Sequence, residues 1–139
     1  MKQIILGTAG HIDHGKTALV TGASRGIGAA TARLLAARGA SVIVNYVANQ
    51  KAAEEVVAAI TADGGQALAL QADARDEGAV AAMVGEGVAK FGPIDILVLN
   101  AGMGVPFKFF VEMTRDEFQT KVMGELDCFW AALKAVVPD

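Results

Sequence analysis

The sequence has 139 residues, of which 53% are hydrophobic, 19% charged and 6% aromatic, with a mean hydropathy of +0.42. This length suits one domain with a buried core and excludes a TIM barrel or two full-sized domains. The net charge of −3 gives no electrostatic signature of binding to nucleic acid or to an anionic membrane. The single cysteine, Cys128, excludes an intrachain disulfide, and no apolar run could span a membrane. We therefore expect a cytoplasmic protein.

Short apolar segments alternate along the chain with segments of helical periodicity. We predict strands at 3–7, 17–21, 41–45, 66–71 and 94–99. We predict helices at 27–38, 49–62, 76–90 and from a capping box at Thr114 and Glu117 to about Val136. Residues 107–111 read as a loop. This alternation predicts an α/β domain with a parallel sheet and no internal domain boundary.

Each helix is expected to direct its large apolar residues towards the sheet. These are Ile27, Ala30, Leu34 and Leu35 in the first helix, Val56, Val57 and Ile60 in the second, and Val80, Met83, Val84 and Val88 in the third. Cys128 is expected to be buried. Leu126, Phe129 and Trp130 lie at helical spacing in the last helix and are expected in the core or at an interface.

A glycine-rich segment, Gly22-Ala-Ser-Arg-Gly26-Ile-Gly28, joins the predicted strand at 17–21 to the helix at 27–38. Glycines at this spacing permit a tight turn and let backbone N–H groups approach a pyrophosphate, and the helix N-terminus adds partial positive charge. The strand before it, the helix after it and a second strand about twenty residues further on favour a dinucleotide site.

A second phosphate-binding pattern precedes the first, Gly10-His-Ile-Asp-His-Gly15-Lys16-Thr17. In a P-loop the backbone would hold the phosphates of Mg-ATP or Mg-GTP, Lys16 would reach the β- and γ-phosphates, and Thr17 would bind Mg²⁺. That arrangement needs a helix from residue 15 or 16, where the other interpretation needs a strand. From the residues alone both remain open. The His and Asp residues of this pattern predict no metal site, because ligands so close in sequence rarely close around an ion.

Residues 16–138 resemble the short-chain dehydrogenase/reductase family, close to its β-ketoacyl carrier-protein reductase branch. The matching motifs are Leu19-Val-Thr-Gly-Ala-Ser-Arg-Gly-Ile-Gly28, Val42-Ile-Val-Asn-Tyr46, Ala72-Asp73, Gly92-Pro-Ile-Asp-Ile-Leu-Val-Leu-Asn-Ala-Gly102 and Asp116-Glu-Phe118. They occur in family order and at family spacing. The resemblance implies a Rossmann-like three-layer αβα sandwich with sheet order 3-2-1-4, truncated after the fourth βα unit, and a nicotinamide dinucleotide as cofactor.

The same resemblance implies a role for each matching residue. Gly22, Gly26 and Gly28, with Ile27, would line the pyrophosphate. Ser24 and Arg25 would lie near the adenosine ribose and its 2′-phosphate, and Asn45 and Tyr46 end the second strand without the acidic residue typical of NAD-specific members. NADP is therefore expected rather than NAD. Asp73 and Ala74 would meet the adenine, and Asn100, Ala101 and Gly102 would pass close to the cofactor.

The catalytic residues of the family have no counterpart in these 139 residues. The family's catalytic Ser and Tyr-x-x-x-Lys are absent, since the single tyrosine is Tyr46 and is followed four residues later by Gln50. The helix position of the family's catalytic Asn aligns with Glu125. We therefore predict an NADP(H)-binding fragment without complete catalytic machinery, and no catalytic residue is assigned.

Residues 7–20 resemble the start of the translational GTPases, most like the selenocysteine-specific elongation factor. The two resemblances overlap at residues 15–20, which suggests a chimera with a P-loop-like segment at 1–15 and a Rossmann half-domain at 16–139. The alternatives are thus a P-loop nucleotide binder or an engineered scaffold with no retained activity. We further expect a homo-oligomer formed through the edge of strand 94–99 or through the last helix.

Overall fold

Four parallel strands form the sheet on which the helices pack, in a computed structural model that describes residues 14–104 and 108–137. The strands are β1 (Thr17–Val20), β2 (Ser41–Tyr46), β3 (Gln66–Gln71) and β4 (Ile94–Val98). Their order across the sheet is β3-β2-β1-β4, which confirms the predicted order 3-2-1-4. The strand predicted at 3–7 lies outside the described residues.

The helices follow the strands in alternation and begin close to their predicted positions. They are α1 (Gly26–Ala37), α2 (Gln50–Ala62), α3 (Glu77–Phe91) and α4 (Arg115–Val136). A short 3-10 helix at Phe110–Glu112 overlaps the end of the segment 107–111, which was expected to be a loop. The capping box at the start of α4 is confirmed. The Glu117 N–H donates to Thr114 Oγ1 at 3.2 Å, and the Thr114 N–H donates to Glu117 Oε2 at 2.8 Å.

The buried strands direct alternate side chains into two apolar cores, one on each face of the sheet. In β1, Ala18 and Val20 pack with residues of α1 and α2, whereas Leu19 packs with residues of α3 and α4. All three side chains are fully buried. Because helices cover both faces, the central strands are apolar on both sides, as expected of a parallel sheet. This is the Rossmann-like three-layer arrangement.

Thr17 begins β1, and this decides between the strand and the helix at residues 17–21. Its N–H donates to Asp95 Oδ2 at 3.0 Å, and its buried hydroxyl donates to the Phe91 carbonyl at 2.8 Å. A P-loop follows the carboxyl end of a strand and opens a helix, whereas Gly15 and Lys16 precede the amino end of β1. The phosphate site predicted at Gly15, Lys16 and Thr17 is therefore wrong, and Gly10 lies outside the described residues.

Small residues, rather than large ones, form the buried face of α1. The buried residues are Gly28, Ala29, Ala32 and Ala36. Ile27 and Leu34 are 80% and 55% exposed, so the expectation that they and Ala30 face the sheet is wrong, and Leu35 is only partly buried. A face without bulky side chains lets the helix approach the strands closely, and this outweighs the burial of two larger side chains.

Gly87 likewise lets α3 approach the sheet closely. A Cβ at this position would lie 2.2 Å from Cδ1 of Ile43, a fully buried side chain of β2. Val80, Met83 and Val84 are buried as predicted. Val88, which follows Gly87 and was also expected to face the sheet, is exposed. The helix is thus turned so that a glycine, and not a valine, meets the sheet.

The last helix carries both a buried cysteine and exposed apolar residues. Cys128 is buried as expected. Leu126, Phe129 and Trp130 are exposed, so of the two predicted places, core or interface, the core is excluded and the interface stays a prediction. Within residues 14–104 and 108–137, no helix combines the length and the hydropathy needed to cross a membrane.

Replacement of Gly87 by alanine should lower the free energy of unfolding by about 1–2 kcal/mol, because Ile43 must move within a packed core. This loss exceeds the gain of up to ~1 kcal/mol that alanine brings to a helix. Gly85 lies two residues away in the same helix, and a Cβ there would meet nothing within 4 Å. Gly85→Ala should therefore stabilise the chain. Urea denaturation measures both variants, and equal effects would contradict the close contact.

Candidate functional site

The loops that follow the four strands meet at one edge of the sheet, because the carboxyl ends of parallel strands point the same way. From β1 the chain continues to β2 and β3 on one side of the sheet and returns as β4 on the other side. The crevice between such diverging loops is where open α/β sheets bind ligands. The loops after β1 and β4 border this crevice directly.

The glycine turn (residues 22–28) leads from β1 into α1 and is packed tightly against the end of β4. Gly22 has φ +63°, and a Cβ there would lie 3.0 Å from Ala101 Cα. A Cβ on Gly28 would lie 2.6 Å from the Gly22 carbonyl oxygen and 2.5 Å from Asn100 Nδ2. Both positions therefore require glycine for the turn to close.

The middle glycine of the turn, Gly26, faces open space. Gly26 has φ +56°, and a Cβ there would meet nothing within 4 Å. It is the first residue of α1, whose N-cap residue Arg25 makes no side-chain cap and whose first turn has no acidic residue. In the described part of the chain, the other three α-helices are capped by the side chains of Asn49, Asp76 and Thr114. The N-terminal turn of α1 thus keeps N–H groups for an external acceptor.

The remaining residues of the turn lie at its rim. Arg25 and Ile27 are exposed, and Ser24 is half-buried. The Arg25 side chain is thus accessible beside the N-terminus of α1, where an anion is favoured.

Asn45 lies behind the turn rather than at its surface. Its side chain is 1% exposed. Its Oδ1 accepts the Gly22 N–H at 3.0 Å, and its Nδ2 donates to the Ala72 carbonyl at 3.0 Å. The Asn45 carbonyl also accepts the Ala23 N–H at 2.8 Å. This one residue holds the loop after β1 and the end of β3 to β2, so it shapes the turn from inside the protein.

Thr21 joins the end of β1 to the end of β4. Its hydroxyl accepts the N–H groups of Asn100 and Ala101, both at 3.0 Å, and donates to the Val98 carbonyl at 3.3 Å. The Asn100 amide in turn donates to the carbonyls of Thr21 and Gly22, both at 3.0 Å. Thr21 was not among the predicted site residues, although a threonine at a strand end before a glycine turn is a signal for such a role.

In the loop after β3, the carboxylate of Asp73 is held by Arg75, which was also not a predicted site residue. The Arg75 N–H and Nε donate to Asp73 Oδ1 at 3.0 Å, and Nη2 lies 2.6 Å from Oδ2. These hydrogen bonds lower the pKa of Asp73 to about 2. Ala74, which lies between Asp73 and Arg75 in the chain, and Tyr46, at the end of β2, are both buried.

Gly102 and Met103 continue the loop after β4 and contact α4. The Met103 N–H donates to Glu125 Oε1 at 2.9 Å, and Lys121 Nζ bonds both the Met103 carbonyl and Glu125. Neither Lys121 nor Met103 was a predicted site residue. The structure thus brings together the loops that carry Gly22, Asn45, Asp73 and Asn100, and it leaves Gly15 to Thr17 at the opposite edge of the sheet.

No metal centre is formed by the described residues, since nowhere in them do three His, Cys, Asp or Glu side chains converge. Of the three residues considered as ligands in the sequence, His11 and Asp13 lie outside that part of the chain. His14 is exposed, and its ring lies where a side chain on Gly39 would be.

The short chain dehydrogenase family model matches residues 16–139. Because this match covers most of the sequence, the chain belongs to the short chain dehydrogenase family. The match includes Lys16 and Thr17, and the comparisons give no evidence for a fused translational GTPase segment or for a P-loop.

Relatives and solved structures agree with this assignment. Versicolorin reductase 1 of Aspergillus parasiticus is 51% identical over 104 residues, which are 75% of this chain and 39% of that protein. An uncharacterized oxidoreductase of Methylorubrum extorquens is 44% identical over 124 residues, 86% of this chain and 50% of that protein. A short chain dehydrogenase from Burkholderia cenocepacia, crystallised in complex with NADP, is 40% identical with a TM-score of 0.80. That similarity covers 91% of this chain and 51% of the other, so the chain spans about half the length, or less, of these relatives.

Removal of the Arg75 side chain should raise the pKa of Asp73 from about 2 towards its ordinary value, because the guanidinium is the main cause of the lowering. Since the folded-state pKa is lowered, this pairing stabilises the fold above the ordinary carboxyl pKa and is lost as the pH falls towards 2. A ¹³C NMR titration of the Asp73 carboxyl in Arg75→Met measures the change. Arg33→Met, on the exposed side of α1, is the control and should leave the titration unaltered.

Proposed function

We propose that this chain binds NADP(H) at the carboxyl edge of its sheet, as the dinucleotide-binding part of a short chain dehydrogenase. The observation that carries the proposal is the uncapped N-terminus of α1 beside the glycine turn. A pyrophosphate placed there would accept hydrogen bonds from the first turn of the helix and would lie in the favourable field of the helix dipole. The open space beside Gly26, where a Cβ would meet nothing within 4 Å, leaves room for such a group.

The residues around the turn fit the rest of a dinucleotide. Asp73 and Ala74, at the end of β3, are proposed to meet the adenine, and residues 100–102 are proposed to lie along the other side of the cofactor. Asn45 and Tyr46 would support the site from the end of β2. When bound, the nicotinamide supplies a carbon that accepts or donates a hydride. The chain's own contribution is to bind and orient that group.

The preference for NADP over NAD rests on charge. Arg25 is exposed beside the N-terminus of α1 and can pair with a 2′-phosphate, with Ser24 next to it. The end of β2 carries Asn45 and Tyr46 and no acidic residue that would repel that phosphate or bind a free ribose hydroxyl. The Burkholderia cenocepacia relative, crystallised with NADP, is in keeping with this preference.

Oxidoreductase activity of the β-ketoacyl carrier-protein reductase type is the corresponding proposal for the whole protein. No catalytic acid is assigned among the described residues. Tyr46, the single tyrosine of the sequence, is buried in β2. The substrate is not assigned, and a cytoplasmic location stays an expectation.

Self-association is proposed as a second property. One face of α4 carries an exposed apolar stripe at helical spacing, formed by Phe118, Val122, Leu126, Phe129 and Leu133. The outer edge of β4 has no strand partner among the residues described. Contiguous apolar surface and an unpaired strand edge are both typical of contacts between subunits.

Replacement of Arg25 by alanine should weaken NADPH binding about tenfold and change NADH binding little, because only NADPH carries the 2′-phosphate. Fluorescence titration of both cofactors measures the two dissociation constants. Arg33→Ala, at an exposed position of the same helix, is the matched control and should alter neither. Equal losses for NADPH and NADH would contradict the assigned role of Arg25, and no binding of either by the wild-type chain would contradict the proposed function.

Sedimentation velocity at increasing concentration tests self-association. The wild-type chain should form dimers or larger species, and Leu126→Glu should shift it towards monomer by placing a charge in the apolar stripe. Leu34→Glu, at an exposed position of α1, is the control. If Leu126→Glu leaves the assembly intact, the β4 edge is the contact surface. A wild-type chain that stays monomeric at high concentration would rule out both surfaces.

A further inference from the structure

The loop after β4 is held by α4 on both sides of one residue. The Met103 N–H donates to Glu125 Oε1 at 2.9 Å, and the Met103 carbonyl accepts a hydrogen bond from Lys121 Nζ. The same Nζ pairs with Glu125 Oε1, four residues further along the helix. The Lys121–Glu125 clamp, as we call this pair, therefore binds the donor and the acceptor of Met103 at once.

Two glycines make this close approach possible. The Met103 side chain crosses α4 at Gly124, where a Cβ would lie only 2.6 Å from Met103 Cγ. A Cβ on Gly102 would lie 3.0 Å from both carboxylate oxygens of Glu125. The helix and the loop are thus fitted to each other by shape as well as by charge.

The charge state of Glu125 suits this role. Its pKa is lowered, chiefly by the hydrogen bond from Lys121 and also by the Met103 N–H, against the opposing effect of burial. The carboxylate is therefore ionised and engaged by two donors. An ionised carboxylate that accepts two hydrogen bonds at Oε1 is suited to hold a segment in place rather than to give up or take a proton.

The clamped segment borders the proposed site at both of its ends. At its start, the N–H groups of Asn100 and Ala101 are fixed by Thr21, beside the glycine turn. At Met103, the side-chain sulfur lies 3.4 Å from Arg75 Nη1, and Arg75 holds Asp73 at the end of β3. Met103 thus connects the loops on the two sides of the crevice.

We propose that Lys121 and Glu125 are positioning residues for the dinucleotide, which fix residues 100–103 in the orientation that the cofactor meets. This inference rests on the proposed function. Without the clamp, the backbone of residues 102 and 103 loses these hydrogen bonds to α4, while Asn100 and Ala101 stay bonded to Thr21 and Gly22. Binding must then also order residues 102 and 103. Ordering that segment costs conformational entropy, which appears as weaker binding with little change in global stability.

The test compares Lys121→Met and Glu125→Gln with the wild-type chain by NADPH titration, urea denaturation and amide hydrogen exchange of Met103. Lys121→Met should weaken NADPH binding roughly 3- to 10-fold and speed the exchange of the Met103 N–H. Lys121→Arg should keep most of the NADPH affinity and most of the protection of the Met103 N–H, since arginine places a cation at the same position. Glu125→Gln should have a smaller effect, because the amide oxygen still accepts from Met103.

Lys108→Met is the matched control. It removes another ion pair that involves α4, between Lys108 in the segment before the helix and Glu117 in its first turn, at 2.5 Å. Neither residue of that pair belongs to the Lys121–Glu125 clamp. The control variant should change neither NADPH binding nor Met103 exchange. An equal loss of binding in Lys108→Met would show a general effect of helix charge and overturn the proposal.

Two further outcomes separate this inference from the proposed function. If the wild-type chain binds NADPH and Lys121→Met binds it equally well, the positioning role is overturned and the proposed function stands. If the wild-type chain does not bind NADPH, the proposed function fails and the positioning role fails with it. The exchange of Met103 then still decides whether the clamp exists, since unchanged exchange in Lys121→Met would overturn it too.

Discussion

The hydroxyl of Thr21 accepts two backbone N–H groups from the end of β4 and donates to the carbonyl of Val98. This buried joint fixes where the chain leaves β4 relative to where it leaves β1. The glycine turn can close only because Gly22 and Gly28 leave room for Ala101 and for the Asn100 amide. The positions of the other parts of the candidate site depend on this joint. The turn opens α1, and the segment after β4 continues to its contact with α4.

Close packing is the second constraint, and it explains the composition. The chain is poor in aromatic residues and has 16 glycines. The buried residues of α1 are all glycine or alanine, and α3 adds Gly87 to its buried apolar residues. Gly87 against Ile43 and Gly28 against the β1–α1 turn are the extreme cases. Such contacts place backbone near backbone, so that loops from different strands come within hydrogen-bond distance of one another. The large apolar residues of α1 and α4 that do not face the sheet are exposed instead, among them Ile27, Leu34 and Trp130.

The sequence was sufficient to predict the type and order of the elements, because alternation, capping residues and glycine stops are local signals. It predicted the wrong face of α1, because burial there follows from the space beside β1 and not from the size of Ile27 or Leu34. The P-loop prediction failed for a related reason. Its pattern is local, whereas the strand at Thr17 depends on Asp95 and Phe91, far along the chain. The contacts of Met103 with Lys121 and Glu125 likewise join residues about twenty positions apart, and no spacing in the sequence reveals them.

The sheet order also divides the folding of the chain into unequal steps. Contacts between β1 and β2, and between β2 and β3, join residues 24 and 25 positions apart, as Thr17 with Ser41 and Ser41 with Gln66 illustrate. The contact of Thr17 with Asp95, beside β4, spans 78 positions. Closing the longer loop costs about 1 kcal/mol more in chain entropy. The β1-α1-β2-α2-β3 part can therefore assemble from near neighbours in sequence, whereas the crevice is complete only when the more distant β4 is also in place.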